Sequence, residues 1–190
     1  MKKKSIIVII TICIIICILS ITSAVYLNEF SIKSGMDVME VQRIVDAKFT
    51  SERGNVIGIS LEEKKYIYLT TTGDHLVVVH LQRGLFERMK FNGMSYSNNT
   101  AFCNGVVEVN GEKYIVVGGR NANHDIAKIE FTLDRKTYEI ELKNPDELFL
   151  EYIKIGTNTE DNHIVPGSMR LFNSMGEDVT SQYNLSSMGI

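Results

Sequence analysis

The feature that most constrains this chain is an apolar run over residues 6–27, which three consecutive lysines precede. Only two threonines and two serines interrupt the run. As an α-helix, about 22 residues measure about 33 Å, and the hydrocarbon core of a bilayer is about 30 Å thick. The run therefore predicts a membrane-spanning helix, and the remaining residues are enough for one ordinary domain.

The charges beside the run predict its orientation. The three lysines lie before it, whereas Glu29 and Lys33 are the first charged residues after it. Because positively charged flanks stay on the cytoplasmic side, we expect a cytoplasmic N-terminus and an exported remainder. The run also fits the apolar core of a cleavable signal peptide, with the cut after Ala24. That alternative gives a secreted chain.

Charge and cysteine content exclude some partners and linkages. Apart from the three N-terminal lysines, the chain has 17 basic and 23 acidic residues, a formal charge of −6. Nucleic acids and anionic lipids require a broad basic surface, so we expect no nucleic-acid partner. Cys13 and Cys17 lie in the apolar run, which leaves Cys103 without a disulfide partner in the exported part. We therefore expect Cys103 to be a buried apolar residue.

Residues 37–49 predict a short amphipathic helix. Val38, Val41 and Val45 recur at helical spacing, and Asp37 with Glu40 resembles a capping box. This helix is expected to pack one face on the sheet that follows. The alternative role is a helix offered to a membrane partner.

From residue 55 the apolar pattern changes to a period of two and becomes rich in Val, Ile, Tyr and Thr, which is typical of strands. We expect strands at residues 55–61, 66–70, 76–81, 85–91, 106–109, 112–117, 127–133, 137–142, 148–155 and 169–173, and polar loops at residues 92–100 and 156–167.

The dipeptide Asn110-Gly111 is the strongest local signal. Both central residues of a type I′ turn need positive φ, which Asn and Gly accept best, so we expect a two-residue hairpin. Its register places Glu108 opposite Lys113 and Val107 opposite Tyr114, an ion pair on one face and an apolar pair on the other.

Many short strands after one helix indicate a mainly β protein, and we expect an antiparallel Ig-like β-sandwich. The chain is accordingly divided into a membrane anchor or signal peptide (residues 1–27), a tether (28–36), a single exported β-domain with an initial helix (37–180) and a frayed tail (181–190).

No catalytic, cofactor or metal motif is present. The histidines have no zinc-binding spacing, and no HExxH, Cys-x-x-Cys, GxSxG, GxGxxG or Walker pattern occurs. Two polar loops, residues 118–125 and 156–167, are the candidate contact surfaces. The residues singled out are Arg120, Asn121, Asn123, His124, Asp125, Asp161 and His163.

The segment from Gly119 to Ile129 and the closing segment Phe172-Asn173-Ser174-Met175-Gly176 carry a resemblance. The chain resembles small, mostly uncharacterised exported proteins of low-GC Gram-positive bacteria, with one N-terminal membrane segment, a short helix and a C-terminal β-domain. Asn173 stands where those proteins usually have an acidic residue. The resemblance implies a location and a fold, and it brings no catalytic residue.

These observations lead to three functional hypotheses. The first is a single-pass membrane protein, anchored through residues 6–27, whose extracytoplasmic β-domain binds a protein partner at the cell envelope. The second is a secreted domain that binds a wall glycan or a small molecule after cleavage near Ala24. The third is a hydrolase or metal-dependent enzyme that uses His124 or His163.

Overall fold

The structure is a computed structural model that describes residues 2–50, 54–73, 75–98, 102–142, 147–159, 163–183, 185 and 187–190. It is mainly β, with one long apolar helix at the N-terminus and one short helix after it. These features confirm the mainly β character predicted from the sequence. An Ig-like sandwich is not confirmed, because the strands form three hydrogen-bonded sheets.

The first helix, α1, extends over Lys2–Glu29. Residues 7–25 are exposed all around the helix, so its apolar surface has no cover from the described part of the chain. Ile7–Glu29 is long and apolar enough to cross a membrane by length and composition. Such a helix suits either a membrane anchor or a signal sequence.

A five-stranded antiparallel sheet follows, in the order β1-β5-β4-β3-β2. Its strands are β1 (Ile32–Lys33), β2 (Ile57–Leu61), β3 (Lys65–Thr72), β4 (His75–Arg83) and β5 (Arg88–Asn98). The segment predicted as a short tether, residues 28–36, is not extended chain throughout. Ile32 and Lys33 instead pair with Met89 and Arg88 at the edge of the sheet.

The second helix, α2, extends over Asp37–Asp46 and ends earlier than predicted. It buries Val41 and Val45 against the five-stranded sheet, as its apolar spacing indicates. Beyond it the backbone turns, and Phe49 packs tilted against the ring of His75 and edge-on against that of Tyr96 instead of continuing the helix. The ring contacts account for an apolar residue at position 49, whose spacing in the sequence resembles a further helical turn.

The prediction of a polar loop over residues 92–100 is wrong for its described part. Strand β5 continues to Asn98 because it pairs with β4 along its whole length, with a register shift between His80 and Leu81. The ladder satisfies the backbone of this polar run, so the side chains need not be apolar. Asn99 and Thr100 lie outside the described residues.

A four-stranded sheet has the order β10-β7-β6-β12. Its strands are β6 (Phe102–Val109), β7 (Glu112–Arg120), β10 (Leu148–Ile155) and β12 (Ser187–Gly189). The predicted hairpin at Asn110-Gly111 is confirmed, with φ of 55° and 80°. Glu108 faces Lys113 in the predicted register. The amino group of Lys113 donates to the carbonyl of Thr159, at 2.5 Å, and not to a carboxylate opposite it.

The C-terminal residues differ from the expected frayed tail. Ser187–Gly189 forms the one parallel strand pair among the described residues, beside Phe102–Asn104 of β6. The amide of Ile190 adds a hydrogen bond to the carbonyl of Asn104, at 3.0 Å. An open strand edge on β6 thus orders a segment whose own sequence has little strand character.

A three-stranded sheet has the order β11-β8-β9. Its strands are β8 (Lys128–Leu133), β9 (Lys136–Glu141) and β11 (Met169–Phe172). The β8–β9 hairpin turns through Asp134 and Arg135, both with positive φ. This confirms the second hairpin predicted from the alternating apolar residues.

The layers are stacked in a fixed order. Leu69 and Val78 of the five-stranded sheet share one buried cluster with Val116 of the four-stranded sheet. On the other face, Val117 shares a second cluster with Ile129 of the three-stranded sheet. The four-stranded sheet is therefore the middle layer. Cys103 is fully buried, as predicted, and burial raises the pKa of its thiol to about 12.

The β-domain, meaning the three sheets with α2, has a helix end beside α1 and a far end opposite it. The helix end carries the turns at residues 62–63, 84–87 and 110–111, next to the last turn of α1. The far end carries the β3–β4 turn and the loop after β7, because these strands run away from α1.

Candidate functional site

The first predicted contact loop, residues 118–125, lies at the far end. Its first three residues belong to strand β7 instead, and the third, Arg120, is already engaged. Nη2 of Arg120 donates to the carbonyl of Gly73 at 2.8 Å and to that of His75 at 3.0 Å. These bonds join the end of β7 to the β3–β4 turn. Arg120 therefore links two sheets instead of offering its charge to a partner.

Asn121 is fully buried and folds the loop around itself. Its Oδ1 accepts hydrogen bonds from the amides of Asp125 and Ile126, each at 3.1 Å. Its Nδ2 donates to the carbonyl of Ile126 at 3.3 Å, and its own amide donates to the carbonyl of Glu147 at 2.7 Å. An amide side chain used in this way replaces missing ladder bonds, so Asn121 has a structural role.

The carboxylate of Asp125 accepts a hydrogen bond from the phenol of Tyr183. Burial, and then this hydrogen bond, raise the pKa of Tyr183 to about 12. Asn123 and His124 are the exposed members of the predicted set in this loop. Both side chains are exposed without being unengaged, since Asn123 is hydrogen-bonded to Tyr183 and His124 has an interaction of its own.

The second predicted loop contributes less. Asp161 lies outside the described residues, and His163 is exposed. The amide of Ile164 donates to Oδ1 of Asn104 at 2.6 Å, and the carbonyl of Thr159 accepts from Lys113. None of the cavities described below has a lining residue from either predicted loop.

The described side chains offer little for metal or acid–base chemistry. Among them, no three His, Cys, Asp or Glu residues lie close enough together to hold a metal ion. The ring of His75 packs at 4.8 Å from Phe49 and 6.2 Å from Tyr96. Burial, and then Lys65, lower the pKa of His80, which lines a small cavity of about 190 Å³.

The largest exposed apolar surface of α2 was not among the predicted site residues. Met36, Val38 and Met39 are 51%, 48% and 69% exposed, at the N-terminal end of α2. We call these three residues the α2 surface. The sequence signal was present in Met36 and Met39, which are apolar but lie outside the helical spacing of Val38, Val41 and Val45.

Two grooves flank the α2 surface and share Met39 and Arg43. The first, about 630 Å³, lies between α2 and β1. The second, about 540 Å³, lies between α2 and residues 54–56. Arg43 forms an ion pair with Glu40 one turn earlier, and this hydrogen bond lowers the pKa of the Glu40 carboxyl. Arg43 and Glu40 thus neutralise each other, and Lys33 and Asp46 add one charge of each sign to the grooves.

The junction between α1 and the β-domain is the third feature. The Tyr26 hydroxyl donates to the carbonyl of Leu85 at 2.6 Å, and the Tyr26 ring stacks on Phe30 with centroids 4.7 Å apart. A Cβ at Gly84 would lie 2.5 Å from Cε1 of Phe30, so a glycine is needed for this close approach. Nη1 of Arg88 donates to the carbonyl of Phe30 at 3.2 Å.

The junction therefore makes the last turn of α1 part of the folded domain. Only Phe30 and Ser31 lie between Glu29 and β1, where the chain enters the sheet ladder. Comparisons with protein-family models, with curated proteins and with solved structures find no match to this chain.

Proposed function

We propose that this chain is a single-pass membrane protein with a cytoplasmic N-terminus, whose extracytoplasmic β-domain binds a protein partner next to the bilayer. The observation that carries the proposal is the junction, where Tyr26 of α1 and Phe30, the residue after α1, contact the β4–β5 turn. These contacts fix the end of the apolar helix against the β-domain, as an anchor that positions a domain requires. Because Tyr26 and Phe30 follow the alternative cut after Ala24, the intact mass of the chain separates the anchor from a cleaved leader.

The short path from α1 to α2 supports a partner close to the membrane. Only Phe30 and Ser31 lie between α1 and β1, and α2 begins at Asp37, four residues after the end of β1. Because β1 is fixed in the sheet, α2 cannot swing away from the anchor. A partner of α2 would therefore lie near the bilayer surface.

The α2 surface is the proposed partner-binding surface. Methionine side chains are flexible and polarisable, so they adapt to apolar partners of varied shape. Two exposed methionines and a valine between two grooves can receive an apolar helix or strand of another envelope protein. This role needs no catalytic residue. Asn123 and His124, at the far end, remain the predicted alternative contact residues.

The orientation and the anchor can be tested on intact cells. The expected result is a chain in the membrane fraction whose intact mass includes residues 1–27 and whose β-domain is cut by protease added outside the cells. A mature chain that begins at Val25 and is found in the medium would contradict the anchor. It would favour the secreted ligand-binding domain instead.

The partner surface can be tested by site-specific photo-crosslinking. A photoreactive amino acid at Met39 is expected to give a discrete adduct with an envelope protein in living cells. Met175, which is 77% exposed in a turn after β11, is the matched control and is expected to give none. The same adduct from both positions, or no adduct from Met39, would overturn the assignment of α2.

A further inference from the structure

The β4–β5 turn exposes two large apolar side chains at the helix end. Leu85 is 67% exposed and Phe86 is 85% exposed. Phe86 and Glu87 both have positive φ, of 54° and 55°, and the amide of Arg88 closes the turn on the carbonyl of Leu85 at 3.2 Å.

Two consecutive positive-φ residues also form the turns β2–β3 (Glu62-Glu63), β6–β7 (Asn110-Gly111) and β8–β9 (Asp134-Arg135). Phe86 is the one large apolar residue at positive φ in the described part of the chain, and a bulky aromatic residue is costly in that conformation. The Phe86 ring is not buried, so packing within the domain does not explain the costly backbone conformation of this residue.

The position of this turn relative to α1 identifies what covers it. The Leu85 carbonyl accepts the hydrogen bond from Tyr26, a residue in the last turn of the apolar helix. If α1 spans the bilayer, Tyr26 lies at the boundary between hydrocarbon and headgroups, where tyrosine is enriched. Leu85 and Phe86 then lie at the same depth.

The charges around the turn are nearly balanced. Over the end of α1, β1, the β2–β3 turn and residues 83–90, the basic residues are Lys33, Lys64, Arg83, Arg88 and Lys90, and the acidic ones are Glu29, Glu62, Glu63 and Glu87. Arg83 is paired with Glu63 at 3.3 Å and with Glu87 at 3.6 Å. Attraction to anionic headgroups is therefore weak, and apolar burial is the main driving force available.

We propose that the β4–β5 turn is a second membrane contact, which inserts Leu85 and Phe86 into the interface of the bilayer beside the anchor. This inference rests on the proposed function, since it requires α1 to remain in the membrane. Two separated attachments hold the domain in one orientation, with the far end directed away from the bilayer.

The test uses the absence of tryptophan from the chain. Phe86→Trp and Leu85→Trp each give the full-length protein a single tryptophan. Tyr96→Trp provides a control on β5, the strand that follows the turn. Tyr96 is eight residues beyond Arg88 on β5, which corresponds to about 26 Å. Each variant is reconstituted into phosphatidylcholine vesicles with and without brominated acyl chains.

The expected result is loss of tryptophan emission in brominated vesicles for the variants at positions 85 and 86. The loss should not depend on salt, and Tyr96→Trp should keep its emission. Equal emission in both kinds of vesicle at positions 85 and 86, from protein that floats with the vesicles, would overturn the second contact and leave the anchor intact. Failure of the protein to float would overturn both.

Discussion

The two ends of the β-domain differ in what their side chains do. At the far end, Arg120, Asn121 and Asp125 spend their hydrogen-bonding capacity inside the domain. At the helix end, Leu85 and Phe86 are exposed and the backbone of their turn is bonded to α1. The polar side chains of the loop thus bond within the domain, whereas the apolar side chains of the turn are exposed.

The difference teaches that polarity alone is a poor guide to the contact surface of a small β-domain. A loop that leaves a middle-layer strand must satisfy its backbone groups next to a dry core, so it recruits polar side chains for that purpose. An exposed apolar turn has no such internal need. Its exposure is better explained by a lipid or protein surface.

The largest effect is expected from Asn121→Ala. This change removes the acceptor for the amides of Asp125 and Ile126, and an unsatisfied buried group costs about 1–3 kcal/mol. We expect the free energy of unfolding of the full chain in detergent to fall by about 2–4 kcal/mol in urea titrations. Asn123→Ala, at an exposed neighbour, should change it by about 0.5 kcal/mol or less. Equal effects would mean that the loop is not closed around Asn121.

The next effect is expected from Gly84→Ala at the helix end. The added methyl group collides with Phe30 and Tyr26, which must leave the domain surface at a cost of about 1–3 kcal/mol. We expect faster proteolysis within residues 28–36, with an unchanged unfolding transition of the sheets. Gly156→Ala is the matched control, because a Cβ there meets nothing within 4 Å. Unchanged proteolysis in Gly84→Ala would mean that the contacts of Phe30 and Tyr26 with Gly84 do not hold α1 against the domain.

A pH-dependent effect is expected from Tyr183→Phe at the far end. Burial and the bond to Asp125 raise the pKa of Tyr183 from 10.0 to about 12, so the neutral phenol stabilises the fold. This stabilisation is fully present below pH 10 and is lost as the pH rises towards 12. The difference in urea midpoint between wild type and variant should therefore shrink over this range. A constant difference would show that Tyr183 does not titrate with the fold.

The smallest effect is expected from Tyr26→Phe. The ring and its stacking on Phe30 remain, and only the hydrogen bond to the Leu85 carbonyl is lost. Such a bond contributes about 0.5–1.5 kcal/mol, so cleavage within residues 28–36 should rise by about 2- to 13-fold, less than in Gly84→Ala. An effect larger than that of Gly84→Ala would mean that the hydrogen bond stabilises the junction more than the ring packing does.

The sequence predicts those parts of the fold that local patterns determine. The apolar run gives α1, and Asn110-Gly111 gives the β6–β7 hairpin with its register. Strands β1 and β12 are only two and three residues long, and they form because distant strands offer open edges. No periodicity can reveal a pairing of this kind. The third sheet likewise depends on contacts between distant segments.

The site was less predictable than the fold. Polar residues such as Arg120 and Asn121 look the same in a sequence whether they face a partner or their own backbone. Only the burial of Asn121 distinguishes these roles. Conversely, Phe86 lies within a run that predicts a strand, and its exposure follows from a turn that its sequence does not favour.

Hydrogen exchange over residues 28–36 of the full-length protein in a lipid nanodisc tests the central claim most directly, namely that the anchor is joined to the β-domain without a flexible tether. The amide of Ser34 donates to the carbonyl of Glu87 at 2.9 Å, and Ile32 and Lys33 are paired with β5. The account predicts slow exchange at Ser34, close to that of the sheet. Exchange at the rate of an unstructured peptide would contradict it.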